Sequence, residues 1–390
     1  MFYFLLFSIM LFFAANDFDR KLNQYSSNIV FFFLFLIFWL VAGLRYETGV
    51  DWPGYTQFFN HSESVKKVLT NATTTYFETQ FEFGYVLLNS IIKTFTDNVQ
   101  WLFLIIALIT NLMLFSSIKK YSNHIFISLL IYYCTTYFIL DMSGIRQCIS
   151  LNIFLLSLSY IIEENFKKYI LSILIASLFH NTSLLLVPMY FLLKMEYKNW
   201  ILILIVFIGI IISLFQITWI TFILEKIIDT FYVKAITGKL TRYGNRDDSR
   251  IFGIGFIFNI AVFVFCLFKR KELSKNRMFN VFLNMYVINL FFYFFTWELA
   301  ELSSRLRLYF AIGNIILFTY FIDIYKHKLN KLLIFIFIIS FSIYYGRVYL
   351  FEMQDGIAYN PYQNYVIHNL FDLKSTGRER QIKFINNPDQ

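Results

Sequence analysis

Apolar stretches of roughly 15 to 20 residues recur along the chain with short polar breaks, the pattern of membrane-spanning helices. They predict spans near 1–16, 28–44, 101–118, 123–140, 144–162, 169–180, 183–193, 199–215, 251–268, 278–296, 306–325 and 332–350, about twelve in all. The first has neither a basic leading segment nor a small-residue cleavage site, so it reads as a retained span. Between the spans lie three longer polar segments: loops at 45–100 and 216–250 and a tail at 351–390. The predicted organisation is a polytopic membrane domain over 1–350, with both loops on one side of the membrane, followed by the tail on that same side. Residues 51–60 and 81–93 mix aromatics with charges, as interfacial or re-entrant helices do, and 70–76 reads as a flexible link.

Composition agrees with the pattern. The 390 residues are 58% hydrophobic and 15% charged, and they include 50 Phe and 27 Tyr, more aromatic surface than one water-soluble core of this size could bury. The fold class is an all-α integral membrane protein. Cys134, Cys148 and Cys266 form no metal or redox spacing and read as small buried hydrophobes. The net charge of +9 gives orientation only through its placement. Basic residues such as Lys119–Lys120, Lys167–Lys168 and Lys269–Arg270–Lys271 fall in every second short loop, which marks those loops as cytoplasmic. The polar segments 45–100, 216–250 and 351–390 are then external. Bases in the second of them, from Lys226 to Arg250, could draw an anionic head group. Nothing in the chain points to nucleic acid.

Ionisable residues at a membrane boundary are costly to place, and four clusters stand out. The first is Gly43-Leu44-Arg45-Tyr46, followed by Gly49, Asp51, Trp52, Pro53, Gly54 and Tyr55. Arg45 offers a planar fork to phosphate oxygens, and Gly49, Pro53 and Gly54 punctuate a tight turn. The second is Asp141-Met142-Ser143-Gly144-Ile145-Arg146-Gln147, where Arg146 must lie at or inside the membrane and Asp141 is a candidate partner for it. The third is Phe179-His180-Asn181-Thr182-Ser183, a break between two half-length apolar segments. The fourth runs from Trp297 to Tyr309, with Arg305 and Tyr309 expected on the face that enters the membrane and Arg307 pointing elsewhere.

In this order and at these distances the clusters resemble the EpsG/Wzy-type family of bacterial polysaccharide polymerases over about residues 28–325. Gly43-Leu44-Arg45-Tyr46, Gly49, Asp51 and Tyr55 match its early signature, Glu82-Phe83-Gly84-Tyr85 a following element, Arg146-Gln147 its Arg-Gln pair, and Arg305 with Tyr309-Phe310 its late arginine. Phe179-His180-Asn181-Thr182-Ser183 matches its Phe-His element loosely, with one extra residue. The resemblance implies a GT-C-like helical glycosyltransferase at the outer face of the bacterial inner membrane. It would join undecaprenyl-diphosphate-linked oligosaccharide repeat units, serving as donor and acceptor, and release undecaprenyl diphosphate. The bilayer and a chain-length regulator protein would be its partners.

On that reading Arg45, Arg146 and Arg305 bind the diphosphate. Asp51, Glu82 and His180 are the three candidates for the base that takes the acceptor proton. Trp52, Tyr55 and Tyr85 stack on sugars, with Gln147 and Tyr309 in support. Asp51 and Glu82 could instead hold a divalent metal, but no tight carboxylate motif favours this, and the expectation is a site without metal or other cofactor. A lipid-linked oligosaccharide flippase and an O-antigen-ligase-like glycosyltransferase are the rival readings.

Overall fold

The structure, a computed structural model, describes residues 2–19, 22–70, 81–223, 253–352, 358–377 and 379–380. Most of the expected flexible link at 70–76, and the bases from Lys226 to Arg250, lie outside these residues. The described residues are helical, with no β-strand among them; one isolated antiparallel bridge joins Arg45 to Asn364. Among the described residues, four helices are long and apolar enough to cross a membrane: Gln24–Gly43, Gln100–Tyr121, Ile145–Ile162 and Lys328–Arg347. The pair Leu302–Ala311 and Asn314–Ile324, bent by 41°, makes a fifth if it is one span. Apolar helices of 10–17 residues occupy five more predicted positions, Phe2–Phe18, Ile125–Leu140, Asn199–Leu214, Ile254–Phe268 and Phe279–Phe295, whereas the span expected at 183–193 is only the 3-10 helix Asn181–Leu186 and the short helix Met189–Lys194.

Large side chains such as Phe4, Phe12, Phe33, Phe207 and Phe268 are more than half exposed, a surface that suits lipid and not water. The three cysteines are buried and free, as expected.

The chain divides into two compact units, residues 1–188 with 321–390, and residues 189–320. In the first, Gln24–Gly43 packs along Gln100–Tyr121, which also meets Ile145–Ser157, while Phe2–Phe18 lies on Ile125–Tyr132. Asn23 starts the second helix by accepting the Ser26 N–H at 2.8 Å, satisfying one of its orphan donors. The described part of the 45–100 segment carries the short helices Trp52–Asn60, Val65–Thr70 and Phe83–Phe95. Gly54 lies inside the first of these, so the expected turn is made by Gly49 alone, at φ +107°. The break at His180 is real: Phe166–Ser177 ends, and the 3-10 helix Asn181–Leu186 follows.

In the second unit, Asn199–Leu214 and Ala300–Ala311 both pack on Phe279–Phe295. The last pair corrects the fourth cluster. Ser303 donates to Phe292 O at 2.9 Å and Phe310 stacks on Phe292, so positions 303, 307 and 310 face the neighbouring helix. Arg307 is therefore the half-buried arginine, 4.4 Å over the Tyr293 ring with Nε donating to Asn289 Oδ1 at 3.3 Å, whereas Arg305 is exposed. Tyr309 is buried.

Candidate functional site

Arg45 sits on a turn fixed from three directions. The Gln100 amide donates to Gly43 O at 2.5 Å and to Arg45 O at 3.2 Å. From the C-terminal segment, Tyr365 N–H bonds Leu44 O at 2.8 Å and Gln363 O accepts Tyr46 N–H at 2.9 Å, one on each side of the arginine. Gly49 closes the turn against the 141–144 turn, where a Cβ would lie 1.9 Å from Met142 O.

The Arg45 guanidinium is 1% exposed and stands 4.4 Å over the Phe103 ring. Its Nη1 donates to Ala42 O at 2.6 Å, while Nε and Nη2 are buried without a hydrogen-bond partner. Burial lowers its pKa from the usual guanidinium value, and Tyr137 and Asp141 offset only part of that. Such a group can receive an anion, and a buried N–H left unpaired costs about 1–3 kcal/mol, more when charged.

Arg146 opens the Ile145–Ile162 helix. Its expected partner, Asp141, is engaged elsewhere, with Thr110, Asn111 and Tyr132. Arg146 instead pairs through Nη1 with Glu82 Oε2, lies 4.5 Å over the Phe81 ring and leaves Nε unpartnered. The second carboxylate oxygen of Glu82 accepts His180 Nδ1 at 3.2 Å and Asn181 N–H at 3.3 Å. This meeting depends on Gly84. Its N–H bonds Leu178 O at 2.7 Å, and a Cβ there would come within 2.8 Å of that oxygen.

The electrostatics separate two of the proposed bases. Burial would raise the Glu82 carboxyl, but the His180 hydrogen bond and the Arg146 charge outweigh it and hold the group down to about 2. Glu82 is thus a permanent anion with both oxygens in use, a poor proton acceptor. An ionised carboxylate only accepts hydrogen bonds, so His180 donates its Nδ1 N–H to Glu82 and turns Nε2 away from it. That Nε2 is buried and has no hydrogen-bond partner. Asp51 is exposed at the start of the Trp52–Asn60 helix.

The aromatic residues differ from their expected role. Tyr55 and Tyr85 are 3% and 0% exposed, their rings enclosed with Phe58, Phe59, Phe81 and Phe103, so neither has a free face for a sugar. What they offer is hydroxyls. Arg45 stands over Phe103, and Arg146 over Phe81 and Tyr85, rings packed in one cluster with Tyr55, so both guanidiniums border it. The Tyr85 hydroxyl is itself buried and unpartnered. Trp52 is half-buried, stacked with Phe103, and Gln147 is buried. Arg305 and Tyr309 belong to the second unit. Among the described residues no group of three or more His, Cys, Asp or Glu is arranged to hold a metal ion.

Fold and site together define an all-helical membrane protein with a buried, incompletely satisfied arginine–carboxylate–imidazole cluster. The chain belongs to the EpsG family, which it matches over residues 28–364. That makes it a membrane protein of the polysaccharide-polymerase kind. No curated protein matches it, and no solved structure does.

Proposed function

We propose that this chain joins undecaprenyl-diphosphate-linked oligosaccharide repeat units at the outer face of a bacterial inner membrane. The observation that carries the reading is the set of buried, unpartnered nitrogens: Arg45 Nε and Nη2, Arg146 Nε and His180 Nε2. A sugar on a diphosphate is already activated, so no nucleotide is required. The bond from the anomeric carbon to the diphosphate oxygen breaks, and charge grows on the leaving diphosphate. Arginines in a site of low dielectric stabilise that charge without reorganising.

The acceptor hydroxyl forms the new glycosidic bond and passes its proton to His180 Nε2. Glu82 holds the imidazole tautomer, as a carboxylate does in any base–orienter pair. Undecaprenyl diphosphate leaves. This narrows the three candidate bases to His180, with Glu82 as its positioning partner. Arg305 remains a proposed diphosphate contact from the resemblance alone, as do Gln147 and Tyr309 in support, and the site is read as working without a metal. The same reading takes the shorter apolar helices as the rest of about twelve spans in a GT-C-like arrangement. A chain-length regulator protein is its proposed partner.

His180→Asn, whose amide can donate from the Nδ1 position toward Glu82 and which lacks the basic nitrogen, should lower turnover by about 10²–10⁴-fold. Host cells carrying it should display single capped repeats in place of long chains, scored by gel separation of surface glycan. Cells that display no repeats at all would indicate a flippase. Long chains of normal length would remove His180 from the chemistry.

A further inference from the structure

The C-terminal segment carries no feature of the sequence clusters, yet it is built into the site. Backbone and side-chain hydrogen bonds fasten residues 358–365 to the Arg45 turn and the helix that leads into it. Gly49 N–H donates to Ala358 O at 2.8 Å, the Tyr362 hydroxyl donates to Val41 O at 3.0 Å, and the Gln363 and Tyr365 bonds flank Arg45. At the centre is Tyr359, 1% exposed. Its hydroxyl lies 2.9 Å from Ser143 Oγ, and that same oxygen accepts the Val50 N–H at 3.0 Å. Its carbonyl accepts the Tyr3 hydroxyl at 2.9 Å.

We infer that Tyr359 is a positioning residue: its hydroxyl, through Ser143, locks the turn bearing Arg45 to the turn bearing Arg146. The two turns are far apart in sequence and meet here and at the Gly49–Met142 approach. Ser143 precedes Arg146 by three residues, and Val50 follows Arg45 by five, so one hydroxyl pair fixes the spacing of both guanidiniums. The bond is satisfied within the protein, so Tyr359 touches no substrate and acts only through geometry. A displacement of about 1 Å at a reacting centre can lower a rate by about 10²-fold, which sets the scale of the effect. The catalytic part of this inference rests on the polymerase reading; the mechanical part does not.

Tyr359→Phe removes one oxygen and keeps the ring, so it separates positioning from packing. In the full-length, detergent-solubilised protein it should lower kcat about 10- to 100-fold, with KM for the lipid-linked repeat unit within about twofold of the parent. Ser143→Ala, which also loses the Val50 N–H bond, should lower kcat at least as much, and the double variant should be no worse than Ser143→Ala, because that variant already removes the link Tyr359 makes. Hydrogen exchange should quicken in peptides covering 46–51 and 141–146 and stay unchanged in the Lys328–Arg347 helix. A parental kcat in Tyr359→Phe, multiplicative losses in the double variant, or unchanged exchange at both turns would overturn the inference. If the parent protein itself shows no turnover, the polymerase reading fails, and the exchange result alone decides whether the hydroxyl locks the turns.

Discussion

Arg45→Met should leave the protein at least as stable as the parent while removing its activity. The guanidinium is fully enclosed, and two of its three nitrogens have no partner. Replacing a buried charge by an apolar side chain of similar length is often neutral or stabilising by about 1–4 kcal/mol. Against this stands the lost bond to Ala42 O, worth about 1 kcal/mol, and a stacking contact on Phe103 that methionine partly restores. Thermal unfolding in detergent should therefore show an equal or higher Tm. Turnover should drop by about 10²–10³-fold, the scale for removing one preorganised charge-stabilising group. A sharp fall in Tm would make Arg45 a structural residue and take it out of the diphosphate site.

The second large effect is on folding. At Gly49 the backbone has φ +107°, which L side chains rarely adopt, and a Cβ would overlap Met142 O at 1.9 Å. Gly49→Ala must therefore push the two arginine-bearing turns apart, at a cost of about 3 kcal/mol or more. It should yield little folded protein by size-exclusion chromatography. Gly54, five residues on and equally prominent in the sequence, lies in a helix with nothing within 4 Å of its Cβ position. Gly54→Ala should be neutral or stabilising by up to about 1 kcal/mol. Equal behaviour of the two variants would mean that the turn is not packed as described.

The local features were legible in the sequence because helical periodicity and chain breaks are local signals. Helices at most of the predicted spans, the break at His180 and short helices within 51–60 and 81–93 could be read there. Contacts between distant residues leave no such trace. Glu82 and His180 were each singled out as bases, yet nothing in their neighbourhoods told that they bond each other, or that Glu82 would be consumed by Arg146. The close approach of Gly84 to Leu178 makes that meeting, and a lone glycine is silent about what it faces.

Sequence spacing groups Arg305 with Tyr309 and turns Arg307 away, yet Tyr309 and Arg307 are the ones that pack inward and Arg305 is exposed. The packing face is set by Ser303, Arg307 and Phe310 against Phe292. The C-terminal segment was passed over as a tail. Its signal was the density of tyrosines, Tyr359, Tyr362 and Tyr365 within a polar stretch, which is more than a solvated end requires.

The most direct test of the central claim uses the purified protein and one substrate, its host's undecaprenyl-diphosphate-linked repeat unit, with no nucleotide sugar present. Products are resolved by length and released lipid diphosphate is measured alongside. The account predicts a ladder of multiples of the repeat, with one undecaprenyl diphosphate released for each bond formed. A folded sample that consumes no substrate and builds no ladder would contradict it.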